Sequence, residues 1–163
     1  MAHPLNLREQ SHPHCSSGDV TAIDLPTVTA AAGGTVLEER IQGQGETLLL
    51  VDDEPQVRDM LQASLECLHY RVLTAANGAE ALAVYERHHD AIALVLTDLV
   101  MPLMGGVELC RALWQRHPRV KILVMTACPL GEVRQALQEE RLLGWLYKPF
   151  ALAELAQAIR RVL

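Results

Sequence analysis

Five polar residues each close a short apolar run. Asp52 and Asp53 follow Leu48–Val51, Asp98 follows Ile92–Thr97, Thr126 follows Lys121–Met125, and Lys148 follows Gly144–Tyr147. Three carboxylates, a hydroxyl and an ammonium can handle phosphate if the fold brings them together. Clustered carboxylates repel one another unless a cation compensates, and an all-oxygen set with room for water and phosphate suits Mg²⁺. With the other acids engaged by the metal, Asp98 is free to attack an electrophilic phosphorus and form an aspartyl-phosphate. Thr126 can donate a hydrogen bond to one phosphoryl oxygen and Lys148 can pair with another, so that charge developing during transfer is offset.

The elements that must position these groups are legible in the same runs. From Thr47 onward, short Leu/Val-rich segments alternate with amphipathic ones, the mark of repeated strand and helix units. Strands are expected at Leu48–Val51, Arg71–Ala75, Ile92–Thr97, Lys121–Met125 and Gly144–Tyr147. Between them Val57, Met60, Leu61, Leu65 and Leu68 fall at helical spacing. So do Ala79, Leu82 and Ala83, then Val107, Cys110 and Trp114, then Val133, Ala136 and Leu137, then Leu152, Leu155 and Ile159. Five such pairs close most simply as a parallel sheet covered by helices on both faces, with ligands beyond the carboxyl ends of the strands. All five polar residues then open onto one edge.

The remaining sequence bounds the reading. Among 163 residues, half are apolar and the formal charge is −6, which argues against a nucleic-acid surface because the clustered cations are missing. The longest apolar run, Ala91–Leu96, is too short to span a bilayer, and Met1-Ala2-His3-Pro4 has no leader character, so a cytoplasmic protein without membrane insertion is expected. Residues 1–45 carry Pro, Gly and Ser throughout and read as a poorly ordered tail or linker ahead of a domain at 46–163. Cys15, Cys67, Cys110 and Cys128 are dispersed and read as reduced thiols. His12, His14 and Cys15 lack a fourth ligand for a metal, and His88-His89-Asp90 reads as a solvated helix end.

Taken singly, each motif has a plainer reading. Asp52-Asp53-Glu54-Pro55 also looks like a helix start, Thr126 a helix cap, Lys148 a surface charge and Trp145 a packing aromatic. Taken in order, the stretches Leu49-Leu50-Val51-Asp52-Asp53-Glu54, Asp98-Leu99-Val100-Met101-Pro102-Leu103-Met104-Gly105-Gly106, Met125-Thr126-Ala127 and Lys148-Pro149-Phe150 resemble the receiver domains of two-component response regulators. That resemblance covers Glu46 to Leu163. It implies a flavodoxin-like (βα)5 fold with strand order 2-1-3-4-5. It implies Asp98 as phosphoacceptor, with Mg²⁺ held directly by Asp53, Asp98 and the backbone carbonyl of Val100, and by Asp52 largely through water. It also implies a cis peptide before Pro149, and Thr126 with Trp145 as the switch pair. The implied partners are a histidine kinase or histidine phosphotransfer protein and a downstream protein. The resemblance also puts Val100 and Cys128 at the two positions that border the path of a hydrolytic water; neither side chain can orient it, which implies slow dephosphorylation.

Val20–Pro26 followed by Gly45–Leu48 is similar to the junction ahead of the carboxy-terminal receiver of a hybrid histidine kinase. Two other readings stay open: an aspartate-nucleophile, Mg²⁺-dependent phosphohydrolase of the haloacid-dehalogenase type, and a degenerate receiver used as a binding module. The hydrolase pattern has its nucleophile in a D-x-D on the first strand, whereas here Asp52 and Asp53 are adjacent and Asp98 lies far downstream. Limited proteolysis should trim the chain to a core beginning between about Arg40 and Thr47 that still folds, because the Pro/Gly/Ser-rich segment buries too little apolar surface to resist cleavage. A segment that resists protease, or a core that unfolds once trimmed, would contradict this reading.

Overall fold

The computed structural model describes residues 42–127, 137 and 143–163. The expected tail up to residue 41, together with Cys128, Val133 and Ala136, lies outside the described residues. The elements run β1 (Thr47–Val51), α1 (Pro55–Cys67), β2 (Arg71–Ala75), α2 (Gly78–His88), β3 (Ile92–Asp98), α3 (Gly106–Arg116), β4 (Ile122–Thr126), β5 (Gly144–Tyr147) and α4 (Leu152–Val162). The five strands form one sheet in the order β2-β1-β3-β4-β5, with every pairing parallel. This is the expected flavodoxin-like order.

Strand β4 begins and ends one residue later than its apolar run suggests, and β3 extends to Asp98. The cause is pairing: Asp98 lies opposite Met125, so both strands keep their ladder partners to the edge where the polar residues emerge. Apolar character locates a buried strand, whereas backbone hydrogen bonds set its last residue.

Alternation along the strands divides the core between two faces. On one face Leu49, Val51, Val95 and Val124 pack against Ala81 and Tyr85 of α2 and Leu109, Cys110 and Leu113 of α3. On the other, Leu48, Leu50, Leu94, Leu96 and Met125 meet Leu61 and Leu65 of α1 and Leu155 and Ile159 of α4. Each fully buried Leu contributes roughly 2 kcal/mol of transfer free energy, so the run Leu48–Val51 is a principal source of stability. Burial pushes the Cys110 thiol up to about 12, as expected of a small apolar filler.

Helix starts follow local chemistry. Pro55 occupies the first position of α1, where a missing N–H costs nothing. Asn77 accepts from Glu80 N at 2.9 Å and Glu80 returns a carboxylate oxygen to Ala76 N at 2.9 Å, a reciprocal cap for α2. The chain enters β1 over the Tyr70 ring, with Gly43 N donating to Leu68 O at 2.7 Å. Glu46 then pairs with Arg160 of α4 at 2.8 Å.

Two glycines separate steric from conformational demand. A Cβ on Gly106 would lie 2.1 Å from the Asp98 carbonyl oxygen, whereas Gly45 has φ 89° and open space around it. Gly106→Ala should therefore cost at least about 2 kcal/mol through forced overpacking, and Gly45→Ala only about 1 kcal/mol through its left-handed backbone. Urea unfolding of the two variants measures both, and equal losses would contradict the assignment.

Candidate functional site

The carboxyl ends of β1, β3, β4 and β5 meet at one edge, and two of the three acids converge there on Lys148. Its Nζ donates to Asp52 Oδ2 at 2.8 Å and to Asp98 Oδ2 at 2.6 Å. Asp52 is only 1% exposed, so its carboxylate has given up water and depends on this ammonium. Burial alone would pull the Lys148 pKa down, but the hydrogen bonds to Asp52 and Asp98 outweigh it and hold the group above the ordinary lysine value. Lys148 is therefore fully charged at neutral pH.

Each acid is fixed by backbone as well as by charge. Asp52 Oδ1 accepts from Glu54 N at 3.0 Å in the turn ahead of α1; the helix does start at Pro55, but its N-cap residue is Glu54 and makes no side-chain cap bond. Asp98 Oδ1 accepts from Leu99 N and from Val100 N, the latter at 3.2 Å, which leaves Oδ2 facing Lys148. The Lys148 main chain is held by its N–H, which donates to the Thr126 carbonyl at 2.8 Å; the Lys148–Pro149 peptide is cis. Thr126 is fully buried at the end of β4. Asp53 is exposed beside Asp52 and makes no ion pair among the described residues. Val100 is also exposed, on the loop after β3.

Trp145 is partly buried against the face formed by α2 and α3. In the β4–β5 register it lies opposite Val124, two residues before Thr126, so strand alternation puts Thr126 and Trp145 on the same side of the sheet. Cys128 lies outside the described residues.

Three contributors are not apparent from residue types at strand ends. Arg58, one turn into α1, donates from Nη1 to the Asp52 carbonyl at 2.6 Å and places a second cation beside the acids. Gly106 allows the loop after β3 to fold back, with its N–H donating to Leu99 O at 2.9 Å. Leu103, 88% exposed, adopts φ 67° at the tip of that loop, a left-handed conformation that disfavours a branched side chain. An arginine six residues beyond Asp52 was the one signal available for Arg58. No residue-type signal marked Leu103.

The donor set suits a hard divalent cation. Asp52 and Asp98 already turn oxygens toward one cationic centre, the Lys148 ammonium, and Asp53 adds a third carboxylate nearby. As placed, no three His, Cys, Asp or Glu side chains among the described residues meet at a single point.

Comparison with known proteins agrees with this fold. Residues 48–160 match the response regulator receiver domain model, and the chain belongs to that family. It is 37% identical over 125 residues to a probable transcriptional regulator, ycf27, of Pyropia yezoensis, covering 76% of this chain and 49% of that one. It is 35% identical over 117 residues to the sensor kinase CckA of Brucella abortus (strain 2308), covering 72% of this chain and 12% of that one. The chain thus spans half or less of the length of these curated relatives. Among solved structures it is similar to the receiver domain of the sensor histidine kinase PA1611 of Pseudomonas aeruginosa PAO1, crystallised with a magnesium ion in its active-site cleft. That match has TM-score 0.66 and 31% identity, and covers 72% of this chain and 97% of that one. Receiver domains are regulatory modules of two-component systems, and the phosphohydrolase reading is not favoured. No described helix is long and apolar enough to cross a membrane.

Lys148→Ala should cost about 2–3 kcal/mol in urea unfolding, because it leaves two carboxylates facing each other with the desolvated Asp52 unpaired. Adding Asp98→Asn to that background should recover part of the loss. A double variant as unstable as the sum of the single ones would mean that the two acids do not interact through Lys148.

Proposed function

We propose that this domain accepts a phosphoryl group on Asp98 from the phosphohistidine of a histidine kinase or histidine phosphotransfer protein, and passes the signal to a downstream protein by a change of shape. The observation that carries the proposal is the double hydrogen bond of Lys148 to Asp52 and Asp98. It leaves Asp98 Oδ2 at a cation, with Oδ1 pinned by the loop. As that oxygen bonds to phosphorus, the P–N bond to the donor imidazole breaks and the imidazole leaves with the electron pair. Lys148 is within reach of a phosphoryl oxygen, and Thr126, at the end of the neighbouring strand, can supply a hydroxyl donor.

Asp53, Asp98 and the Val100 carbonyl would hold Mg²⁺, with Asp52 acting largely through water. When bound, the ion neutralises the charge brought by a phosphate approaching three acids. The magnesium in the cleft of the PA1611 receiver domain supports this reading. Thr126 and Trp145, on one side of the sheet, would act as the switch pair, Thr126 moving toward the phosphoryl group and Trp145 filling the vacated space. The domain at 46–163 would act as the phosphoacceptor unit, with residues 1–45 as a tail or linker.

Acetyl phosphate with Mg²⁺ should add one phosphoryl mass to the intact protein, and Asp98→Asn should add none. An Asp98→Asn protein that still gains the mass would remove Asp98 from this role. With the donor withdrawn, decay of the added mass should be slow, and Val100→Asn should speed it by roughly tenfold, equivalent to about 1.4 kcal/mol of barrier.

A further inference from the structure

Asp52 is held by groups on four separate segments. Its N–H donates to the Ala75 carbonyl at 3.2 Å, Glu54 N donates to its Oδ1 at 3.0 Å, and Lys148 Nζ donates to its Oδ2 at 2.8 Å. The fourth hold is on its carbonyl oxygen, to which Arg58 Nη1 donates at 2.6 Å from one turn into α1. The main chain of the same arginine donates from N to the Glu54 carbonyl at 3.0 Å. Arg58 thus grips the backbone on both sides of Asp53, whose exposed side chain leaves the chain between those two carbonyls.

The bond to the Asp52 carbonyl is charge-assisted, and the guanidinium that makes it is charged at every accessible pH. It fixes the plane of the Asp52–Asp53 peptide, and that plane sets the direction in which the Asp53 carboxylate emerges. A fixed carboxylate matters more to one divalent ion than to another. Mg²⁺ needs near-octahedral oxygens at about 2.0–2.1 Å, whereas Ca²⁺ accepts six to eight oxygens at about 2.3–2.6 Å in adaptable geometry.

Resting on the reading that Asp53 ligates Mg²⁺, we propose that Arg58 is a positioning residue for that ion, and that its grip on the Asp52 carbonyl gives the site its preference for Mg²⁺ over Ca²⁺. Charge and position act here with opposite sign. As a bare positive charge, Arg58 repels any divalent cation, so its removal would tighten Mg²⁺ and Ca²⁺ alike. As a positioning residue, its removal weakens Mg²⁺ and leaves Ca²⁺ much less affected.

The test is calorimetric titration of the full chain with Mg²⁺ and with Ca²⁺ at constant ionic strength. Arg58→Met keeps the aliphatic stem while removing the charge and the donor, and should weaken Mg²⁺ binding about tenfold, as loss of a group that orients a metal ligand does. Ca²⁺ binding should fall several times less, and Arg58→Lys should recover part of the Mg²⁺ affinity. Circular dichroism confirms the fold of each variant, and a merely structural defect would lower both ions alike. Equal weakening of the two ions in Arg58→Met, unchanged binding or tighter binding would overturn the role of Arg58 and leave the metal reading standing. The metal reading itself is tested by Asp53→Asn, which should lose Mg²⁺. Wild type that binds no Mg²⁺, or Asp53→Asn that binds it as wild type does, would overturn that reading and the role of Arg58 with it.

Discussion

The ammonium of Lys148 between two carboxylates is the constraint on which the functional edge depends. Asp52 has almost no contact with water, and a buried carboxylate without a partner would be costly enough to unmake the end of β1. The partner comes from β5, at the far side of β3 and β4, so the whole sheet must close in register for the charge to be met. The Lys148 N–H to Thr126 carbonyl bond and the backbone donors to Asp98 Oδ1 hold the two ends of that bridge still.

The fold was legible because a parallel sheet buries its strands on both faces. Leu48–Leu50 and Leu94–Leu96 leave no polar position at which to mistake them for a helix or an exposed strand. The residues gathered at the edge were legible for the same reason, since Asp52, Asp98, Thr126 and Lys148 mark where continuous apolar runs stop. Adjacent acids were harder to separate. Asp52 turned inward to Lys148 while Asp53 stayed exposed, a difference set by which side of the strand end each falls on.

What escaped the sequence depends on phase and proximity between elements. Arg58 reaches the Asp52 carbonyl because α1 starts where it does, and a shift of one residue would carry it to another face of the helix. Gly106 closes the Asp98–Gly106 stretch read from the sequence, but the contact that demands it, a carbonyl oxygen eight residues earlier, is not announced by residue types. His88-His89-Asp90 reads correctly as a helix end, yet the approach of His117 from the next helix is a property of helix alignment. Local chemistry was visible; encounters between distant segments were not.

The core carries a chemical consequence of its own. Of the two described cysteines, Cys67 is exposed and Cys110 is sealed beneath α3. With its pKa pushed to about 12, Cys110 is ionised in only about one molecule in 10⁵ at neutral pH, and the thiolate is the form that oxidants and electrophiles attack. Oxidative damage among these two therefore falls on Cys67, outside the packed interior, and the domain can meet peroxide without losing the sulfur that fills its core.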